Sequence, residues 1–241
     1  MTTPTISKVT AADEGRAIDT LVLAFSADPA ARWLYPDTQQ FAANFRSFVR
    51  AFAGKAFEQG SAYCIDGFSG AALWLPPGVH PDAEALAGLI QRSVSGHRLE
   101  EVFAVFERMD SYHPAEPHWY LPLIGVHPSQ QGRGYGSALM EHALIECDRD
   151  KKLAYLESSN PRNITLHERH GFELLGTSRL GHHRPSRPCC GNRVQRIDRS
   201  AFDNSVGATG RSPSLLRNDI SRLSLKESGN VFFHFFEQPL A

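Results

Sequence analysis

Residues 119–146 constrain this chain more than any other stretch. They read Trp-Tyr-Leu-Pro-Leu-Ile-Gly-Val, then His-Pro-Ser-Gln-Gln-Gly-Arg-Gly-Tyr-Gly, then Ser-Ala-Leu-Met-Glu-His-Ala-Leu-Ile-Glu. The first part is apolar, with aromatic and β-branched members, which predicts a buried strand. Leu139, Met140, Ala143, Leu144 and Cys147 recur at helical spacing. Between strand and helix lies a turn with Gly132, Gly134 and Gly136. The first amides of a helix have no internal partner, and they point with the positive end of the helix dipole at whatever sits there. Glycines let a bulky anion approach the backbone, and Arg133 adds a full charge. Residues 131–137 therefore predict a site for a ligand that carries a diphosphate. Pro122 has no backbone donor, so within a strand it belongs at an edge, an end or a bulge.

Composition narrows the partners. Hydrophobic residues make up 41% and charged residues 21%, enough apolar content for a packed core. A formal charge of -1 gives no global reason to expect nucleic acid or an acidic membrane. No apolar run is long enough to span a bilayer, and the first residues lack the pattern of a signal peptide. Cys64, Cys147, Cys189 and Cys190 are too few and too irregular for a disulfide framework. A cytoplasmic protein with reduced thiols is expected. His182, His183, Cys189 and Cys190 invite a zinc reading, but adjacent cysteines do not easily ligate one ion, so no metal is expected.

Along the chain, residues 6–9 predict a short strand, and Thr10 with Asp13 a helix cap. Ile18, Leu21, Val22 and Phe25 form a helical stripe that should stop at Asp28-Pro29. Residues 29–37 read as a loop carrying Trp33 and Tyr35. Thr38 caps a second helix whose core face is Phe41, Phe45, Phe48, Val49 and Phe52. Residues 62–65 and 71–75 predict a hairpin. Helices follow at 85–94 and 99–109. The unit from 119 to 156 is strand, helix, strand, with its two strands in one sheet. Pro161 opens another helix, Gly171 ends it, and residues 172–176 begin a further strand. From residue 181 the chain turns basic and poor in apolar residues. Residues 1–180 are read as the domain and 181–241 as a poorly ordered extension, in which 215–225 is a candidate short helix and 231–236 a candidate docked strand.

Three motif types could explain the glycine turn. A Walker-type phosphate loop needs a lysine before the serine, and Gly136-Ser137 has none. A dinucleotide fingerprint is approximated by Gly132, Gly134 and Ser137, with Glu157 about 20 residues on in the place of a ribose-binding acid. Against that alternative, an oxidoreductase, residues 127–130 lengthen the turn and no further alternating units complete a sheet. The third type, Gln/Arg-x-x-Gly-x-Gly/Ala, is met in full by Gln131-Gly-Arg-Gly134-Tyr-Gly136. Further stretches accompany it: His-Pro-Ala-Glu-Pro-His-Trp at 113–119, Tyr-Leu-Glu-Ser-Ser-Asn-Pro-Arg-Asn at 155–163, and Glu-Arg-His-Gly-Phe at 168–172. With these, and with residues 25–33 and 72–77, the chain resembles the GCN5-related N-acetyltransferase (GNAT) superfamily. The likeness runs over residues 6–180 and is to the branch containing puromycin N-acetyltransferase.

The resemblance implies an α/β fold: a mixed, mostly antiparallel sheet with splayed central parallel strands, flanked by helices. It implies acetyl-CoA as co-substrate. The backbone of Ile124, Gly125 and Val126 would bond the pantetheine arm. The amides of Gln131, Gly132, Arg133, Gly134, Tyr135, Gly136 and Ser137 would cradle the pyrophosphate, and Asn163 would face the cofactor. The amide of Ile124 or Val126 would serve as oxyanion donor. Where relatives place a tyrosine acid this chain has His167, read as a proton donor in its imidazolium form. Glu157 is a candidate base beside the slot, or else a carboxylate satisfied by Arg162; Glu116 and His118 are further candidates. Phe25, Trp33 and Tyr35 line the acceptor side by likeness, or are core aromatics. The implied reaction is direct attack of a small-molecule primary amine on the thioester, in a ternary complex of a monomer or homodimer, without nucleic acid or membrane. Relatives close with a tryptophan-containing strand soon after residue 180. This chain continues into the basic region instead, which together with His167 leaves a CoA-binding regulatory protein as a second reading.

Overall fold

The computed structural model describes residues 4–179 and 190–196. Strands β1 (Ile6–Lys8), β2 (Ala62–Ile65), β3 (Gly70–Leu75), β4 (Trp119–Val126), β5 (Ala154–Ser158), β6 (Phe172–Arg179) and β7 (Cys190–Arg196) form one sheet. Their order is β1-β2-β3-β4-β5-β7-β6. Among the described residues only β4 and β5 run parallel; every other neighbouring pair is antiparallel. The mixed, mostly antiparallel sheet is the predicted one.

The sheet does not stop at residue 180. Strand β7 lies between β5 and β6, pairing Tyr155 with Gln195 on one side and Leu174 with Val194 on the other. Its residues fall in the stretch read as poorly ordered from composition, and for 190–196 that reading is corrected. A strand held by ladders on both sides needs no apolar alternation of its own to form. The predicted helix at 215–225, the strand at 231–236, and His182, His183 and Cys189 lie outside the described residues.

Helices cover both faces: α1 (Glu14–Ala24), α2 (Pro29–Leu34), α3 (Thr38–Ala53), α4 (Lys55–Glu58), α5 (Ala83–Ser93), α6 (Gly96–Asp110), α7 (Tyr135–Arg149) and α8 (Ile164–Arg169). On one face Ile18 and Leu21 of α1 and the stacked Phe41, Phe45, Phe48 and Phe52 of α3 pack with Leu73, Tyr120 and Leu123. On the other, Leu139, Met140, Ala143 and Leu144 of α7 pack with Trp74, Trp119, Leu121 and Leu156. Helix α2 replaces the predicted loop. Asp28 and Pro29 do end the first helical stripe, but Asp28 also caps the next helix, its Oδ1 accepting from the amides of Ala30 and Ala31 at 2.9 and 3.1 Å. Likewise Asp37, not Thr38, caps α3.

Strand β4 is irregular in its middle. Against β3 its register jumps, with Leu73 opposite Leu123 but Leu75 opposite Tyr120, so Leu121 and Pro122 form a bulge. The faces record it: Tyr120 and Leu123 share one core, Leu121 and Ile124 the other, a spacing of three where a regular strand has two. Pairing with β5 ends at Leu121 opposite Leu156. Beyond Pro122 the two parallel strands part.

Gly125 explains how α1 reaches this strand. A Cβ there would meet the Ala24 Cβ at 2.6 Å and Leu21 Cδ2 at 3.2 Å. Gly125→Ala is expected to destabilise the fold by about 1–3 kcal/mol through overpacking, read as a lower midpoint in urea at unchanged slope.

Candidate active site

The parting of β4 and β5 opens a cavity of about 740 Å³. Its floor is residues 121–126 of β4, one end is the glycine turn, and β5 with the loop after it forms the far wall. Backbone direction alternates along a strand. The His127 amide donates to Ser69 O on the β3 side, so Gly125 and Leu123 also face β3. Ile124 and Val126 turn their N–H and C=O groups the other way, where β5 no longer pairs. The sequence grouped Ile124, Gly125 and Val126 together as backbone partners of a ligand. The geometry divides them: Gly125 spends its backbone on the sheet and its missing side chain on α1.

In the turn, Gly132 and Gly134 take φ of 77° and 82°, left-handed values that favour glycine. A Cβ at either would meet nothing within 4 Å, since both border open space. Gly134 is the N-cap of α7, and no side chain satisfies the first amides of that helix. Gln131 folds back, its Nε2 donating to Val126 O at 3.2 Å. Gln131, Gly132, Gly134, Tyr135, Gly136 and Ser137 line the cavity, while Arg133 is exposed and does not. Ser137 Oγ lies 2.8 Å from His170 Nε2, tying the start of α7 to the end of α8. A cradle of unsatisfied amides, left-handed glycines and a strand with an unpaired backbone edge suits a pyrophosphate joined to an extended amide-bearing arm.

Asn163 lines the cavity and makes no capping bond; Asn160 caps that turn instead, accepting from the Arg162 amide at 3.1 Å. Phe25 and Trp33 line the opposite side. Tyr35 does not. It is fully buried, with its hydroxyl 2.9 Å from Ser93 Oγ, so the acceptor role read for it is corrected to a core role. Asp28 lines the cavity, and Ser159 Oγ donates to its Oδ2. Burial raises the Asp28 carboxyl against the pull of Ser159 and the two helix amides.

Glu157 and His167 both line the cavity. The neighbours of Glu157 are His113 and the Tyr120 phenol, which donates to the carboxylate, and not Arg162; His113 Nε2 sits 3.3 Å from Oε1 at ion-pair distance, though not aligned as a hydrogen bond. Burial first, and then the Glu157 charge, hold the Tyr120 phenol well above its ordinary range. His167 is 3% exposed, and its buried Nδ1 has no partner among the described residues. Burial, with the nearby His170, lowers its pKa to about 4. The imidazolium acid expected from sequence is therefore corrected to a neutral imidazole near pH 7. The linkage is acid-side: below pH 6.5 the unfolded chain takes up a proton that folded His167 refuses until about 4. Stability is full above pH 6.5 and falls by up to about 3 kcal/mol as pH drops through that window. His167→Phe is expected to flatten that part of the pH–stability curve, measured by urea unfolding between pH 4 and 7.

A profile of the acetyltransferase (GNAT) family matches residues 82–172. An uncharacterized N-acetyltransferase of Schizosaccharomyces pombe is 30% identical over 179 residues, which cover 68% of this chain and 72% of that protein. The chain belongs to the GNAT family of acetyltransferases. A Corynebacterium glutamicum structure described as a histone acetyltransferase and related acetyltransferase superposes with a TM-score of 0.58 at 25% identity, over 81% of this chain and 97% of the other. A Drosophila melanogaster polyamine N-acetyltransferase, described as forming N-acetylagmatine, shares the fold with a TM-score of 0.55 at 14% identity, over 80% and 97%. The GNAT fold accounts for the cleft where β4 leaves β5. Sequence reasoning missed His113 as a neighbour of Glu157; the only signal was its place in the His-Pro-Ala-Glu-Pro-His run before β4.

Proposed function

We propose that this GNAT protein transfers an acetyl group from acetyl-CoA to a small-molecule primary amine by direct attack in a ternary complex. One observation carries the reading: the unpaired edge of β4 beyond Pro122 and the glycine turn open into the same cavity as Glu157. Ile124 and Val126 would hold the pantetheine arm. The amides of residues 131–137 would hold the pyrophosphate, with Arg133 adding charge from outside the cavity wall, and Asn163 would contact the cofactor. The bound thioester supplies an activated acyl carbon. The chain supplies position, an amide of Ile124 or Val126 for the developing oxyanion, and Glu157 as base. Base catalysis of this kind contributes typically ~10²–10⁴-fold. His167, neutral near pH 7, can donate one N–H bond to the departing sulfur but holds no spare proton for it; a coenzyme thiolate leaves without one.

The acceptor side is mostly apolar, with Asp28 set between Phe25 and Trp33 in the lining. Phe25, Trp33, Phe52, Phe106 and Met109 line the cavity, and Phe52 stands edge-on to Tyr120 at 6.2 Å beside Glu157. We infer an amine on an apolar body, in keeping with the likeness to the puromycin N-acetyltransferase branch. Cys64 and Cys147 are buried thiols, and among the described residues no helix is long and apolar enough to cross a membrane; a cytoplasmic location is proposed on that footing. Calorimetry with acetyl-CoA and with NAD, followed by thiol release with a panel of amines, tests the proposal. Binding of acetyl-CoA and thiol release with apolar amines are expected. Binding of NAD alone would overturn it. Binding of acetyl-CoA without release for any amine would favour a regulatory CoA-binding role.

A further inference from the structure

Two histidines stand in line behind Glu157. His118 Nδ1 lies 2.8 Å from the Glu116 carbonyl oxygen, and His118 Nε2 lies 3.0 Å from His113 Nδ1. A carbonyl only accepts, so His118 Nδ1 carries a hydrogen. Neutral His118 then has a bare Nε2, which accepts from His113 Nδ1–H. Neutral His113 is thereby left with a bare Nε2, and that atom faces Glu157 Oε1 at 3.3 Å. A nitrogen lone pair set against a carboxylate lone pair is repulsive, and one proton on that nitrogen turns the contact into an ion pair. The chain of tautomers begins at a backbone carbonyl and ends at a carboxylate in the cleft.

We propose that His113 is the positioning residue for Glu157: its Nε2 and Glu157 Oε1 jointly hold the proton removed from the acceptor, in a tautomer set by His118 and the Glu116 carbonyl. The inference rests on Glu157 acting as the base. An alkylammonium acceptor loses two protons in the reaction. One goes to the Glu157–His113 pair. The amine nitrogen then bonds the acetyl carbon, the carbon–sulfur bond breaks, and the second proton goes to the thiolate. The pair afterwards returns its proton to water, which His113 can reach because its side chain is 23% exposed, against 8% for Glu157.

The surroundings favour holding that proton at this end of the relay. Burial keeps His118 below the ordinary histidine range, despite its bond to the Glu116 carbonyl. Tyr120 of β4 and Tyr155 of β5 pack their rings on His113 at 4.6 and 4.4 Å. Among the described residues, other titratable groups around the relay are the Tyr120 phenol, which donates to Glu157, Asp110 at the end of α6, whose carbonyl accepts from the His113 amide, and His80 from the segment after β3, which acts on His118. Arg193 of β7 is the register partner of Glu157.

The test joins a spectroscopic and a kinetic measurement on the full chain. Nitrogen-15 NMR of the histidine rings should show the His113 Nε2 resonance displaced in Glu157→Gln, because the carboxylate that faces that nitrogen is gone. His113→Phe keeps the ring packing and removes the nitrogens. It should lower kcat/KM for the amine by about tenfold or more, a share of the base contribution. It should also move the acid limb of the pH profile, which belongs to the pair and not to one residue, and leave KM for acetyl-CoA unchanged. A His113 Nε2 resonance identical in wild type and Glu157→Gln overturns the proton sharing. An acid limb of His113→Phe that superposes on wild type overturns the positioning role. Failure to bind acetyl-CoA would overturn the acetyltransferase reading instead, while the NMR comparison still decides whether the pair exists.

Discussion

Glu157→Gln is expected to lower kcat/KM for the amine by about 10²–10⁴-fold while acetyl-CoA still binds. The amide keeps the shape of the side chain at the end of β5 and cannot take up a proton. The defect should depend on pH in a diagnostic way. An alkylamine with a pKa near 10.4 is mostly ammonium at neutrality, so without a base the rate follows the small unprotonated fraction and climbs about tenfold per pH unit. The native enzyme should level off once its base is ionised. Thiol release at saturating acetyl-CoA from pH 6 to 10 makes the comparison. A variant that tracks the native profile within a factor of about three would show that another group, or water alone, removes the proton.

The glycine turn supports the second large effect. Gly134 holds φ at 82° as the N-cap of α7, with open space where a side chain would stand. Gly134→Asn and Gly134→Asp impose nearly the same volume, and both residues tolerate a left-handed backbone better than most. They differ by one negative charge, aimed at the place proposed for the pyrophosphate. Like charges a few ångströms apart in a partly solvated cleft repel by about 1–4 kcal/mol. The aspartate should therefore bind acetyl-CoA about tenfold to several-hundredfold more weakly than the asparagine. The gap should narrow at high salt, because screening acts on the charge and not on the shape. Calorimetry at two ionic strengths reads both numbers. Equal affinities for the two variants would place the diphosphate elsewhere.

Parts of the fold and site were legible in the sequence because the physics is local. A strand, three glycines and a helical stripe announce an anion cradle wherever they occur in that order, and a proline inside the strand announces its bulge. Features fixed by partners far along the chain were not legible. Asp28-Pro29 reads as a stop; that the same aspartate starts α2 and also takes a bond from Ser159 shows only when β5 is in place. Tyr35 looks like any cleft aromatic until Ser93 is found at its hydroxyl. His113 and Glu157 meet only because β4 and β5 align Tyr120 with Tyr155. The family likeness implied an acid at His167, but its charge state depends on burial that no spacing reveals.

The position of β7 has a consequence for how the molecule is made. Among the described residues, the strand that comes last in sequence occupies an interior place, between β5 and β6. During synthesis β5 therefore waits with one edge bare, and β6 has no sheet to join, until residue 196 has left the ribosome. Non-local pairings of this kind are the slow step of folding and the stage at which exposed edges find wrong partners. A fragment cut at residue 180, where composition alone would end the domain, freezes the chain at that stage. The wall of the cleft that carries Glu157 would then be an open edge, so the side of the cleft proposed for catalysis is sealed only once β7 has paired.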